Sequence, residues 1–110
     1  MAAKPPEIVQ YYREVFENLG PIESKRFFGG WDFRHMSVQF AVYLLNELYF
    51  VVDDDLREKL IEIGSHPFSY PKKGKVVSVE RWYSVPDELL ENPDELLPYA
   101  EQAFRVAPRK

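Results

Sequence analysis

The residues from Arg26 to Phe50 confine the fold more than any other stretch. Apolar residues recur at every second position, Val38, Phe40, Val42 and Leu44 on one side and Ala41 and Tyr43 on the other, then again at Leu48, Phe50 and Val52. A period of two is the pleat of a β-strand, whose side chains alternate between faces, and it cannot be laid along a helix. Gly29-Gly30 interrupts the aromatic run of Phe27, Phe28 and Trp31. Glycine accepts positive φ and close backbone approach, so the pair predicts a bend or bulge between a strand from Glu23 and one from Trp31 to Arg34. His35-Met36-Ser37 reads as a turn, and Leu45-Asn46-Glu47 as a tight connection with Asn46 left-handed. Together these make an antiparallel meander with one apolar face that needs a cover.

Three helices can supply it. Ile8, Val9, Tyr12, Val15, Phe16 and Leu19 fall at three- and four-residue steps between Pro5-Pro6 and Gly20-Pro21, the pattern of an amphipathic helix. Asp53-Asp54-Asp55 precedes Leu56, Leu60, Ile61 and Ile63, so an aspartate caps a middle helix that Gly64 closes. Asn92-Pro93-Asp94-Glu95 opens a C-terminal helix, with asparagine as cap, proline at the first position and acids at the positive dipole end. Pro98 within it could move the start. Between the last two helices, Phe68-Ser69-Tyr70 and Val76 to Val85 read as a hairpin around Pro71-Lys72-Lys73-Gly74-Lys75. Strict alternation from Val77 and Val79 would send Arg81 inward and Trp82 outward; a bulge at Glu80 and Arg81 would reverse both. The expected fold is α+β, two-layer, with an antiparallel sheet (meander plus hairpin) packed with an N-terminal helix, a middle helix and a C-terminal helix.

At 110 residues and 45% hydrophobic content the chain suits one domain, 1–110, with flexible ends at 1–6 and 107–110. A net charge of -4 disfavours non-specific binding to nucleic acid or anionic membrane, both of which need a positive field. There is no cysteine, hence no disulfide framework or thiolate chemistry, and no apolar run approaches a membrane span. A soluble cytoplasmic protein is expected.

Motifs for chemistry are weak. The aspartate triplet lacks the spacing of a hard-metal loop and is better read as a cap, with Asp53 as its structural residue. His35 and His66 stand beside turns, outside any metal-ligand or catalytic spacing. Gly29-Gly30 does not feed a helix N-terminus, so it is no phosphate loop, and no serine sits in a nucleophile elbow. We therefore expect no enzyme, no cofactor and no metal. Lys72, Lys73 and Lys75 beside Tyr70 form a basic and aromatic cluster that a solvated turn explains equally well. Trp31, Trp82 and Tyr83 are candidates for an exposed aromatic partner surface, because a two-layer domain leaves one sheet face less covered, and Lys72, Lys73 and Lys75 are candidates for a partner surface alongside them.

Taken in order, Phe27-Phe28-Gly29-Gly30-Trp31, Phe40-Ala41, Glu47-Leu48-Tyr49, Phe68-Ser69-Tyr70, Lys73-Gly74-Lys75, Val77-Ser78, Val85-Pro86-Asp87-Glu88-Leu89-Leu90 and the Asn92-Pro93 helix start resemble one family. It is the N-terminal domain of the TfoX/Sxy regulators of bacterial competence. The resemblance implies a two-layer α+β domain without catalytic residues. Longer members are similar to transcriptional co-activators that work with the cyclic-AMP receptor protein and carry a second, C-terminal helical domain; this chain is expected to be a stand-alone copy of the first. The function expected is a non-enzymatic protein-interaction module acting through a protein partner such as a transcription factor, without direct nucleic-acid or membrane contact. The alternative is a small chaperone-like or homo-oligomerising domain, possible as a homodimer, that holds a peptide or protein client.

Overall fold

The computed structural model describes residues 6–109. The order of elements is α1 (Glu7–Phe16), a 3₁₀ turn (Glu17–Leu19), β1 (Glu23–Phe27), β2 (Gly30–His35), β3 (Val38–Leu44), β4 (Glu47–Val51), α2 (Asp54–Glu62), β5 (Pro67–Lys72), β6 (Lys75–Ser84), α3 (Asp87–Leu90) and α4 (Pro93–Val106). The six strands form one antiparallel sheet in the order β1-β2-β3-β4-β6-β5, so the fold is the expected α+β meander plus hairpin.

Four hairpins share one turn chemistry. Phe28-Gly29, Met36-Ser37, Leu45-Asn46 and Lys73-Gly74 are two-residue loops with positive φ at both positions, the type I′ geometry whose twist matches that of the flanking strands. Of the bend or bulge expected at Gly29-Gly30, the structure has a bend, a tight turn, and no bulge. Phe27 pairs with Gly30, so the turn falls one residue earlier and Gly30 already belongs to β2. A side chain there would collide with the Tyr43 carbonyl of β3, which makes Gly30 the glycine required for close approach.

Helix α1 lays a narrower stripe than its sequence pattern. Val9, Tyr12 and Phe16 are buried, while Ile8 is exposed and Val15 and Leu19 are partly covered. The Phe16 ring meets Phe33, Phe40 and Phe50 at 5.3, 5.2 and 6.1 Å, which pins the helix to three strands at once. Tyr12 reaches Phe33 and Tyr43 beside it. Helix α4 packs on β3 and β4 in the same layer through Leu96, Ala100 and Ala103. A register shift between Phe33 and Arg34 leaves Phe40 unpaired, so Phe40 joins the helix side with Ala41 while Val42 sits opposite Asp32 and Tyr49. The unbroken Val38-Phe40-Val42 alternation read from the sequence is split by this bulge.

Helix starts follow the local rules in one place and depart in another. The Asp53 carboxylate accepts from the Leu56 amide at 2.9 Å and caps α2, and Asp54 and Asp55 occupy the first turn. Gly64 follows its end with φ at 98°. The Asn92 side chain makes no cap bond to α4; its amide donates back to the Glu88 carbonyl instead, so α3 rather than α4 uses it. Pro98 is carried inside α4, whose start stays at Pro93. Of the ends expected to be flexible, 1–5 and 110 lie outside the described residues, whereas the Pro6 carbonyl accepts from Val9 and Gln10 and Ala107 is buried against the core.

The second face of the sheet is not left bare, which corrects the expectation of a poorly covered face. Three strands separate β1 from β6, about 19 Å in a flat sheet at ordinary strand spacing, yet the Phe27 and Trp82 rings lie 5.6 Å apart. The sheet must curl. Phe68 closes the hollow from β5, meeting Tyr49 at 5.3 Å and Trp82 at 5.8 Å. The curl uses the bulge expected in β6. Pro67 pairs with Tyr83 but Phe68 with Val79, so Glu80, Arg81 and Trp82 have no partner on β5; both charges face out and Trp82 turns in. Beyond that point β5 and the first half of β6 run on as a two-stranded arm tipped by Lys72, Lys73 and Lys75.

Candidate partner-binding groove

The curl leaves an opening among the described residues. A groove of about 920 Å³ starts at the hollow of the second face, where Phe27, Val51 and Trp82 form its floor. It passes the Met36 turn and ends at the C-terminal end of α4 beside Phe104. Its charged lining consists of Arg34, Arg81 and Arg109, and none of the lining residues is acidic. In a chain of net charge -4 that is a local inversion of sign.

Two devices hold the arginines, an ion pair for Arg34 and an aromatic ring for Arg81 and Arg109. Asp32 on β2 is 1% exposed, and its carboxylate accepts from the Lys25 amide at 3.1 Å, the Gln39 amide group at 2.9 Å and Arg34 Nε at 2.9 Å. The buried acid thus fixes Arg34 by one nitrogen and leaves the outer donors of its guanidinium for something else. Arg81 lies over the Trp82 ring at 4.8 Å. Arg109 lies over Phe104 at 4.7 Å and donates to the carbonyls of Arg105 and Ala107. Arg81 and Arg109 have no carboxylate partner among the described residues. A guanidinium lying over a ring keeps its N–H donors directed outward in its own plane and loses little entropy on binding an anion, although Arg109 already commits its Nη1 to the two carbonyls.

The residues singled out from the sequence are not brought together. Trp31, Trp82 and Tyr83 are 8, 5 and 5% exposed, so they are core, and only the Trp82 ring contributes to the groove, as floor. Trp31 faces the helix side with Arg26 stacked at 5.4 Å. Lys72, Lys73 and Lys75 are exposed at the tip of the arm, outside the groove lining. Phe28 stands at the groove rim and is 82% exposed; Met36 and Leu45, at the first positions of two other turns, are 76 and 72% exposed. Gly29 and Gly30 shape the β1–β2 hairpin, and Asp53 caps α2.

The histidines have local partners. His35 is buried with its Nδ1 at 2.8 Å from the Pro21 carbonyl and its ring 4.8 Å from Phe104. His66 lies between Ser84 Oγ at 3.3 Å and Glu47 at 3.2 Å, which has the outline of a serine, histidine and carboxylate relay. Ser84 is 2% exposed, however, and its oxygen also meets the His66 amide and the Ser65 hydroxyl, so a substrate carbonyl has no path to it. The set ties the loop after α2 to β6. Burial first, and then the hydrogen bond it donates to Glu47, push the Tyr49 hydroxyl well above the usual tyrosine range. Among the described residues no group of His, Asp and Glu is arranged to hold a metal, and no helix is long and apolar enough to cross a membrane.

Sequence reasoning did not single out Asp32, Arg34 or Arg109. One signal was present, since Asp32 and Arg34 are two apart on a strand and so share a face. Arg109, on the far side of α4, carried none. Against known families, the model described as the TfoX N-terminal domain matches residues 14–107, nearly the whole chain. No curated protein matches it.

Proposed function

This chain belongs to the TfoX N-terminal domain family, and on that footing we propose that it is a non-enzymatic protein-interaction module of the transcriptional co-regulator type, working through a protein partner. The observation that carries this reading is the placement of Phe28, Met36 and Leu45. Each is a large apolar side chain held in left-handed backbone on the surface, where glycine, asparagine or aspartate would suit the turn better. Such residues cost folding free energy and return little burial, and apolar side chains standing on rigid hairpin tips are suited to contact with another protein. A cytoplasmic setting goes with this reading, supported by the absence of cysteine.

The test pairs affinity capture with gel shift. The tagged chain is expected to retain a specific protein and to leave promoter DNA unshifted at physiological salt. A DNA shift by the chain alone, with steep salt dependence, would refute the partner-mediated reading. The same exposed tips suit the homo-oligomerising or client-holding alternative, which light scattering separates: a concentration-independent monomer with no retained client excludes it.

A further inference from the structure

We propose that the groove between the curled second face and the end of α4 binds an acidic, apolar peptide segment of the partner protein, with Arg34, Arg81 and Arg109 pairing its carboxylates and Phe27, Val51 and Trp82 receiving its apolar side chains. The proposal rests on the interaction-module reading above and names the chemistry of the partner.

Charge complementarity is the first ground. The chain carries 18 acidic and 14 basic residues, yet the groove gathers arginines from β2, β6 and the segment after α4 with no acid among its lining. Preorganisation is the second. Asp32 spends a buried carboxylate on orienting Arg34, and the stacked rings of Trp82 and Phe104 orient Arg81 and Arg109. Guanidinium groups fixed in this way recognise carboxylates in two-point geometry at low entropic cost. The floor supplies the third. Three apolar side chains below the arginines, with Phe28 and Met36 at the rim, ask for leucine or phenylalanine between the acids of the ligand, and arginine with aromatic residues and methionine is the composition of interface hot spots. A nucleic acid would satisfy the arginines but not this floor, and the field of an acidic chain opposes its approach.

The experiment is fluorescence anisotropy with a labelled synthetic peptide in which aspartate and glutamate alternate with leucine and phenylalanine. Three controls accompany it: the peptide with lysine in place of its acids, the peptide with serine in place of its apolar residues, and single-stranded oligothymidine as competitor. Arg81→Glu is expected to weaken binding roughly tenfold and Arg81→Glu with Arg109→Glu roughly a hundredfold, while Arg13→Glu, on α1 and outside the groove, leaves it unchanged. Both groove positions are exposed, so the melting temperature should hold; Arg81→Glu alone suffices if the Arg109 change frays the end of α4. Equal binding by the double variant, by the lysine peptide or by the serine peptide would overturn the proposal, as would displacement by oligothymidine at comparable concentration. If a captured protein is still retained by the double variant, the groove assignment fails while the interaction module stands. If the wild-type chain shifts DNA alone, the module reading fails whatever the peptide does.

Discussion

Substituting alanine at Gly30 should unfold a large part of the population at temperatures the wild type tolerates. A Cβ built at this position lies 2.0 Å from the Tyr43 carbonyl oxygen, 3.1 Å from the Tyr43 carbonyl carbon and 2.9 Å from the Leu44 side chain. The leucine can change rotamer, but the carbonyl cannot move without disturbing the pairing of Trp31 with Tyr43. Overpacking commonly costs about 1–3 kcal/mol, and because the obstacle is backbone the upper end applies, about 3 kcal/mol. Against a total stability of about 5–15 kcal/mol for a domain this size, that corresponds to a melting point lower by roughly 10 °C or more. The internal control is Gly29, whose Cβ would meet nothing within 4 Å but whose φ is +77°. Gly29→Ala should cost about 1 kcal/mol and Gly29→Val about 2 kcal/mol, from backbone conformation alone. Thermal unfolding followed by circular dichroism ranks the three. If Gly30→Ala melts within about 2 °C of wild type, or Gly29→Val proves the worse of the two, β2 and β3 do not approach as drawn.

Three further outcomes follow from single interactions. Asp53→Ala removes the cap of α2 and should lower stability by about 1 kcal/mol in urea titration, without changing peptide binding. Asp32→Asn puts an amide donor among the Lys25 amide, the Gln39 amide group and Arg34; it should cost about 2–3 kcal/mol and weaken peptide binding as well, since Arg34 loses its orientation. A variant that keeps wild-type stability would show that the Asp32 network is not made. At alkaline pH the hydroxyls of Tyr12, Tyr49 and Tyr83, each held above the usual tyrosine range first by burial, keep their protons in the folded chain after the unfolded chain has lost its own. Stability from these groups is therefore intact below the ordinary tyrosine pKa of about 10 and falls as pH rises past it. Tyr49→Phe should flatten that fall, and a urea midpoint independent of pH in this range would count against the burial of these hydroxyls.

Local rules carried far along this chain and failed at particular residues. Asp53 and Pro93 announced their helices because cap and first-turn preferences depend on residues within a few positions. The bulge at Glu80 and Arg81 was readable because two charges and a tryptophan broke the alternation within one strand. Phe40 gave no such sign, since phenylalanine is acceptable on either face of a strand buried on both sides. The curl of the sheet could not be read at all. It brings Phe27 to Trp82 across three intervening strands, and no spacing in the sequence records a contact between strands that do not pair. Trp82 is buried by that curl, whereas Trp31 and Tyr83 are buried on the helix side, and the arginines at positions 34, 81 and 109 come together only through the fold. The turns at Met36-Ser37 and Leu45-Asn46 were readable, but the turn at Phe28-Gly29 was placed one residue late, because Phe28, like Met36 and Leu45, breaks the residue preference of the geometry it adopts.

That breach separates structural from functional readings of the tips, and Met36 is the cleanest place to use it. Met36 holds φ at 51° and is 76% exposed, whereas the Phe28 ring packs on Phe27 at 4.6 Å. Asparagine takes left-handed backbone more readily than methionine, so Met36→Asn should raise stability by about 0.5–1 kcal/mol, a few degrees in melting point. Little packing is lost, because the side chain is mostly in solvent. At the rim of the groove the same change removes apolar area from the contact, and part of a methionine's burial is worth roughly a three- to tenfold loss of affinity for the acidic, apolar peptide. A residue kept only for folding would not improve the fold when replaced, and a residue idle in binding would not weaken the complex. Opposite signs in the two measurements are thus the expected signature of a contact residue. If binding is unchanged, Met36 lies outside the contact. A fall in stability would mean that the turn is not the strained one described.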